Sequence, residues 1–224
     1  MKVENINFEN LHCTFCKYPA TGKITYILYP MAMAPERVEA ISKRYATSVV
    51  VISGMDWDND MTPWPAPGVP KGSPDFQGLG GEFFRKLTQT VAPSIERLLC
   101  AHDVPERTLI GVSLSGLFTL WQWAQSDFFH NIATLSGSFW YKDFVEWIWN
   151  QPFSSRTGRC FMLLGEAEPH SRNRMFSTVG KCTEEIVGYL RRQGVDITYR
   201  IVAGNHYQYP TERLDMAMAD IYLK

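Results

Sequence analysis

Long apolar runs are missing from this 224-residue chain. The longest, "ITYILYPMAMA" and "SVVVIS", fall far short of the ~20 residues that a membrane-spanning helix requires, so no span is expected. An excess of charge is missing as well: 22 Lys and Arg stand against 23 Asp and Glu, for a net charge of −1. No Lys/Arg stripe offers the electrostatic footprint of a nucleic-acid binder, which excludes that class. The N-terminal stretch "MKVENINFENLHC" carries acidic residues and no apolar h-region. No signal peptide is read there, and a cytoplasmic location is expected. Cysteine is sparse and unframed. The five, at 13, 16, 100, 160 and 182, are an odd number without a framework spacing and are read as free thiols. Cys13 and Cys16 form a CxxC, yet no second pair lies at finger spacing to complete a four-ligand zinc site. Their stretch "LHCTFCKY" reads as strand, whereas a redox pair would open a helix, so ordinary small apolar packing is expected. Repeats, low-complexity tracts and a domain boundary are also absent. A chain of this length can bury a full core as one domain over residues 1–224.

What is present is an alternation of short apolar runs with longer helical patterns. "LHCTFCKY" and "KITYILY" read as strands, and a helix opens at Pro35 in "APERVEAISKRYA", proline being favoured in a first turn. "SVVVIS" (48–53) is unbroken and β-branched, the pattern of a parallel strand buried on both faces. A helix is expected over about 79 to 101, with Phe84, Leu87, Val91, Ile95 and Leu98 at three-and-four spacing. "TLIGV", "NIATLS" (131–136), "CFMLL" (160–164) and "DITYRIV" (196–202) supply further strands. "LFTLWQWA", a stretch from about 174 to 193 and "TERLDMAMADIYL" supply helices. On the second of these, Met175, Val179, Cys182, Ile186 and Leu190 share a face that stops near Gly194. Repeated βα units imply a mostly parallel sheet with helices on both faces and reactive loops at the carboxyl ends of its strands.

Two segments break that rhythm. Residues 54–78 form a Pro/Gly/Asp-rich loop whose Trp57, Trp64 and Phe76 favour an ordered loop packed on something. Residues 138–153, within a cap segment taken as 138–157, are crowded with aromatic rings. There Phe144, Trp147 and Ile148 suit inward packing, and Trp140 and Trp149 suit the overhang of a pocket; a helix packed wholly onto the core is the alternative.

Between a convincing strand and a convincing helix lies "GVSLSG", residues 111–116. A serine held at such an elbow adopts strained backbone angles, so the residues two positions either side must be small. Ser113 meets that condition through Gly111 and Ser115, whereas Ser115 would have Leu117 at +2. The Leu114 N–H, at the positive end of the following helix, is placed to meet a developing oxyanion. A second donor is expected from the loop after "ITYILYP"; Pro30 has no N–H, which leaves Met31 or Ala32. Downstream, "GEAEPHS" carries Glu166 and Glu168 past one strand and "AGNHYQYP" carries His206 past another. Taken alone His206 would be a surface-loop histidine. Three loops converging on one sheet edge in the order Ser, acid, His make it the general base, with either glutamate as the acid. His12, His102, His130 and His170 lack that placement, and no metal or cofactor is implied.

From about residue 23 to 222 the sequence resembles the esterase group of the α/β-hydrolase superfamily that includes enterochelin (ferric-siderophore) esterases. "TLIGVSLSGLFTLW" is similar to that group's elbow and "DNDMTPWPAP" to its Asp-x-Thr-Pro loop. "IATLSGSFWY" resembles its Ser-Pro-Ser-x-Trp stretch with Gly137 in place of proline, and "GNHYQYP" its Gly-x-His segment. The resemblance implies an α/β-hydrolase fold, Ser113 as nucleophile and His206 as base. Through "GEAE" it selects Glu168 over Glu166 as the acid. Departures are Ser115 where glycine is usual, "LYPMAMA" in place of Leu-Asp-Gly, and Glu168 for the commoner aspartate. No basic cluster suits a large anionic ferric siderophore, so that substrate is not carried over. The expected activity is serine carboxylester hydrolysis of a small molecule. Thioester cleavage or acyl transfer would use the same residues, and a non-catalytic ligand-binding protein is the rival of another class. Rims at Trp57, Trp64 and Trp140 suggest an apolar or aromatic acyl or alcohol group.

Overall fold

The computed structural model describes residues 1–19, 21–99 and 105–223. Cys100, His102 and the far end of the helix expected to reach 101 lie outside the described residues. Eight strands form one sheet in the order β1-β2-β4-β3-β5-β6-β7-β8. β1 (Val3–Phe8) pairs antiparallel with β2 (Leu11–Cys16), and β2 antiparallel with β4 (Ser48–Ser53). From β4 through β3 (Lys23–Leu28), β5 (Glu106–Val112), β6 (Asn131–Leu135), β7 (Arg159–Gly165) and β8 (Asp196–Val202), every pairing is parallel.

The two-residue period of the strands sorts their side chains into two cores. Along β4, Val50 and Ile52 join one core and Val49 and Val51 the other. α1 (Pro35–Tyr45) and α8 (Pro210–Tyr222) cover one face through Val38, Ile41, Leu214 and Ala217. α3 (Gly80–Lys86), α4 (Ala92–Leu98), α5 (Leu114–Gln125), α6 (Phe144–Trp149) and α7 (Val179–Arg192) cover the other. α5 is buried from Leu114 to Ala124, which is why "LFTLWQWA" shows no polar face. The same period disposes of the CxxC. Residues three apart on a strand point to opposite sides, so Cys13 lies in one core and Cys16 in the other. Burial pushes the Cys13 thiol up to about 12. Neither cysteine can reach the other across the sheet.

Three expectations need correction. β1 was not foreseen: it is an edge strand, and only Val3, Ile6 and Phe8 of "VENINF" are even partly buried. The helix expected from 79 is interrupted by a π-helical turn at Leu87–Val91. Pro93 in the first turn of α4 has no N–H to give and its ring would press on the carbonyl four residues back; a widened turn removes that clash. α7 begins at Val179 after a 3-10 turn over Phe176–Thr178, and Met175 is exposed instead of joining its inner face. The stop at Gly194, φ +81, falls where it was read.

The 54–78 segment is ordered by its own contacts. α2 (Trp57–Asp60) is followed by a two-way backbone bridge between Ala66 and Phe76. Gly78 passes so close beneath Trp64 that a Cβ there would sit 2.2 Å from its backbone. The loop thereby lies over the carboxyl ends of the parallel strands. Among the described residues no helix is long and apolar enough to cross a membrane.

Candidate active site

β5 ends at Val112 and α5 begins at Leu114, so Ser113 alone makes the turn, at φ 57 and ψ −121. Such a conformation costs an L-residue on the order of 1–3 kcal/mol and persists only where the surroundings impose it. Ser113 N–H donates to the Leu135 carbonyl at 3.0 Å, and its own carbonyl accepts the Gly116 and Leu117 N–H groups at 3.0 and 3.1 Å. A Cβ on Gly111 would lie 2.1 Å from the Ser115 carbonyl oxygen, and one on Gly116 would lie 3.0 Å from Gly137 Cα. Replacing Gly111 by alanine is therefore expected to destabilise the fold by about 3 kcal/mol or more, because backbone must move. A midpoint in urea close to that of the parent would refute that expectation.

The second serine of the elbow has a different task. Ser115 Oγ accepts the Val112 N–H at 2.8 Å and lies 3.0 Å from the Leu28 carbonyl, which ties the elbow to the end of β3. It is wholly buried. Ser113 Oγ instead faces a cavity of about 450 Å³.

His206 follows β8 on a loop that turns at Gly204, φ +97. Its Nε2 lies 3.0 Å from Ser113 Oγ and its Nδ1 lies 2.8 Å from Glu168 Oε2. Glu168 opens a 3-10 turn just past β7, and its side chain is nearly sealed from solvent. Its Oε1 accepts from Ser136 Oγ at 2.6 Å and from the Gly165 N–H at 2.7 Å, and Arg213 Nη1 stands 3.2 Å away. Burial alone would push this carboxyl up. Hydrogen bonds from His206 and Ser136, the histidine's charge and the Gly165 N–H outweigh it and hold the carboxyl below its ordinary value. Glu166, two residues earlier, is exposed, and its backbone N–H bonds to Val202 O.

The structure thus brings Ser113, His206 and Glu168 into one hydrogen-bonded line, with Leu114 on the same cavity wall. Trp57 and Trp140 line that cavity, joined by Phe76 and Phe176; the Trp140 and Phe176 rings are 4.8 Å apart. Two expected residues lie elsewhere. Trp64 does not line the cavity: its indole N–H donates to the Lys142 carbonyl and its ring packs on Tyr141, Phe144 and Trp147, so it anchors the loop to the cap. Met31, with Ala32, lines a separate depression beside Arg37, Pro210 and Thr211. Trp149 is also away from the cavity and half exposed, whereas Phe144 and Ile148 are core.

Several neighbours were not anticipated. His170 shares the cavity wall. Ser138 Oγ stands 3.3 Å from Ser113 Oγ, and its N–H donates to the Ser113 carbonyl. Arg213 is the largest omission. The available signal was a charged residue on the inward stripe of α8, one turn before Ala217. Among the described residues no group of three or more His, Cys, Asp or Glu is placed to hold a metal ion.

A mostly parallel sheet of this strand order, with a serine at the β5–α5 elbow and an acid and a histidine past β7 and β8, is the α/β-hydrolase fold. No family model matches the chain. It is 26% identical over 199 residues to the uncharacterized protein YbbA of Bacillus subtilis, covering 84% of this chain and 80% of that one. Among solved structures, siderophore hydrolase EstB from Aspergillus nidulans superposes with a TM-score of 0.75 at 16% identity, over 99% of this chain and 94% of the other. An IroE-like serine hydrolase from Shewanella oneidensis gives 0.76 at 14% identity, over 99% and 80%. At these identities the likeness is one of fold.

Proposed function

We propose that the protein is a serine carboxylester hydrolase working through an acyl-enzyme. The observation that carries this reading is the unbroken line from Ser113 through His206 to Glu168, opening on an aromatic-walled cavity. His206 takes the Ser113 proton as the hydroxyl attacks and returns it to the departing alkoxide, and Glu168 holds the imidazole's tautomer and stabilises the imidazolium. The Leu114 N–H meets the developing oxyanion at the positive end of α5. Water then repeats the sequence on the acyl-enzyme. Thioester cleavage and acyl transfer to an alcohol would use the same groups. Covalent labelling by a fluorophosphonate followed by turnover of p-nitrophenyl esters tests the reading; a folded protein that neither labels nor turns over would instead be a ligand binder.

The name of the Aspergillus neighbour raises siderophore esters as substrates. Among the described residues the cavity lining includes no Lys or Arg, and its ionisable members are Asp58, Glu168, His170, His206 and Tyr207. That composition argues against a large anionic ferric complex and for an uncharged ester with an aromatic or bulky apolar group. Trp140→Ala is expected to lower the preference for aryl-acyl over acetyl esters by roughly tenfold in kcat/KM, as loss of one apolar contact surface does. An unaltered preference would remove Trp140 from the specificity wall.

A further inference from the structure

Arg213 is an arginine where the apolar face of α8 meets the core, and it is only 3% exposed. A guanidinium does not lose its proton in a protein, so burying one requires partners that return the lost hydration. Its partners are unusual in where they lie. Nη1 donates to Ser136 Oγ at 2.7 Å and reaches Glu168 Oε1 at 3.2 Å, while Nη2 donates to the carbonyl of Asn205 at 2.8 Å. Asn205 is the residue before His206. One planar cation therefore holds the carboxylate, the backbone next to the imidazole, and the hydroxyl of Ser136 at the end of β6.

The surroundings are shaped for that cation. A Cβ on Gly165 would come within 2.6 Å of Arg213 Nη2, 2.5 Å of the Gly204 carbonyl and 2.9 Å of Glu168 Oε1. Glycine is thus required there by close approach and not by its backbone angles. Ser136, at φ 53, turns its hydroxyl between the other two groups, donating to Glu168 and accepting from Arg213. Oε1 is consequently occupied by three donors, and only Oε2 remains for His206 Nδ1. A glutamate has one more rotatable bond than an aspartate, and the three donors remove the freedom that bond would bring.

We infer that Arg213 is the positioning residue of the Ser113–His206–Glu168 line, setting the carboxylate and the histidine loop at the separation that keeps Nδ1 and Oε2 in contact. This inference rests on the hydrolase reading for its catalytic consequence, though the contact itself does not. Among the described residues the charged and titratable groups bonded to Glu168 are His206 from the β8 loop and Arg213 from α8, and Tyr199 on β8 lies within reach of its charge. The Tyr199 hydroxyl is raised chiefly by burial, then by the charges of Glu184 and Glu168.

The test compares wild type with Arg213→Lys and Arg213→Met, each checked for folding by its thermal transition. With a p-nitrophenyl ester, Arg213→Met is expected to lose roughly 100-fold in kcat, the scale of a displacement of about 1 Å at a reacting group, while KM changes little. The acid limb of its kcat/KM profile should move to higher pH, because removing a fixed cation beside the hydrogen-bonded His206–Glu168 pair favours the protonated pair. Arg213→Lys keeps the charge without the fork, and should recover part of kcat and most of the acid limb. Equal loss of kcat in both variants with no movement of the limb would reduce Arg213 to a structural part, and unchanged kinetics in Arg213→Met would overturn the inference outright. Should Arg213→Met fail to fold, Arg213→Lys and Arg213→Gln provide the second approach, since each keeps a polar head at the same place; unaltered kcat and acid limb in both also count against the inference. An inactive wild type would sink the hydrolase reading alone. NMR titration of the His206 ring in wild type and Arg213→Met would then still read whether the guanidinium governs the His206–Glu168 contact, and identical curves would reject it.

Discussion

Replacing Ser113 by alanine is expected to abolish fluorophosphonate labelling and to lower kcat on a p-nitrophenyl ester by on the order of 10⁴-fold or more. The side chain removed is small and only partly buried, and alanine bears the same strained φ of 57, so the melting temperature should hold within a few degrees. Ser115→Ala separates the two serines of the elbow. Its hydroxyl is wholly buried and bonded to Val112 N–H and the Leu28 carbonyl, so labelling should persist while stability falls by about 1 kcal/mol. Labelling that survives in Ser113→Ala and vanishes in Ser115→Ala would reverse the assignment. His206→Ala should match Ser113→Ala in turnover, since residues that act as a unit lose most of the rate whichever one is removed.

The parts of the molecule legible in the sequence were those whose local pattern and tertiary setting agree. "SVVVIS" is apolar throughout because both faces of β4 are covered, and the elbow announces itself because only small residues fit around Ser113. Ser113, Glu168 and His206 each sit just past a strand, so strand order alone placed them on one edge. What was not legible depends on contacts distant in sequence. β1 is an edge strand with three half-buried residues, too weak a signal by itself. Trp64 and Trp140 have the same composition-level appearance. The first turns under the loop onto Phe144 and Trp147, and the second faces the cavity. Met31 follows β3 as expected, but its loop leads toward the start of α8. Arg213 looks like any helix arginine until its partners on three other segments are known.

Removing the carboxylate is the second large effect. Glu168→Ala is expected to cost roughly 10³- to 10⁴-fold in kcat, since the imidazole loses both its orientation and the charge that stabilises its protonated form. A crippled Glu166→Ala beside an unimpaired Glu168→Ala would transfer the role to the other glutamate. Stability should fall too, by about 3–5 kcal/mol, because the buried Arg213 guanidinium is left without its counter-charge. Glu168→Gln keeps the shape and isolates the charge, which gives the pH dependence its sign. The folded carboxyl is held below the ordinary 4.5, so the unfolded chain binds the proton more readily. The stabilisation is present in full above that ordinary value and is lost as pH falls through the lower folded value. The gap in melting temperature between wild type and Glu168→Gln should therefore be widest near neutrality and close as the solution is acidified below about 4.5. A gap that stays constant over that window would mean that ionisation of Glu168 adds nothing to the stability of the fold.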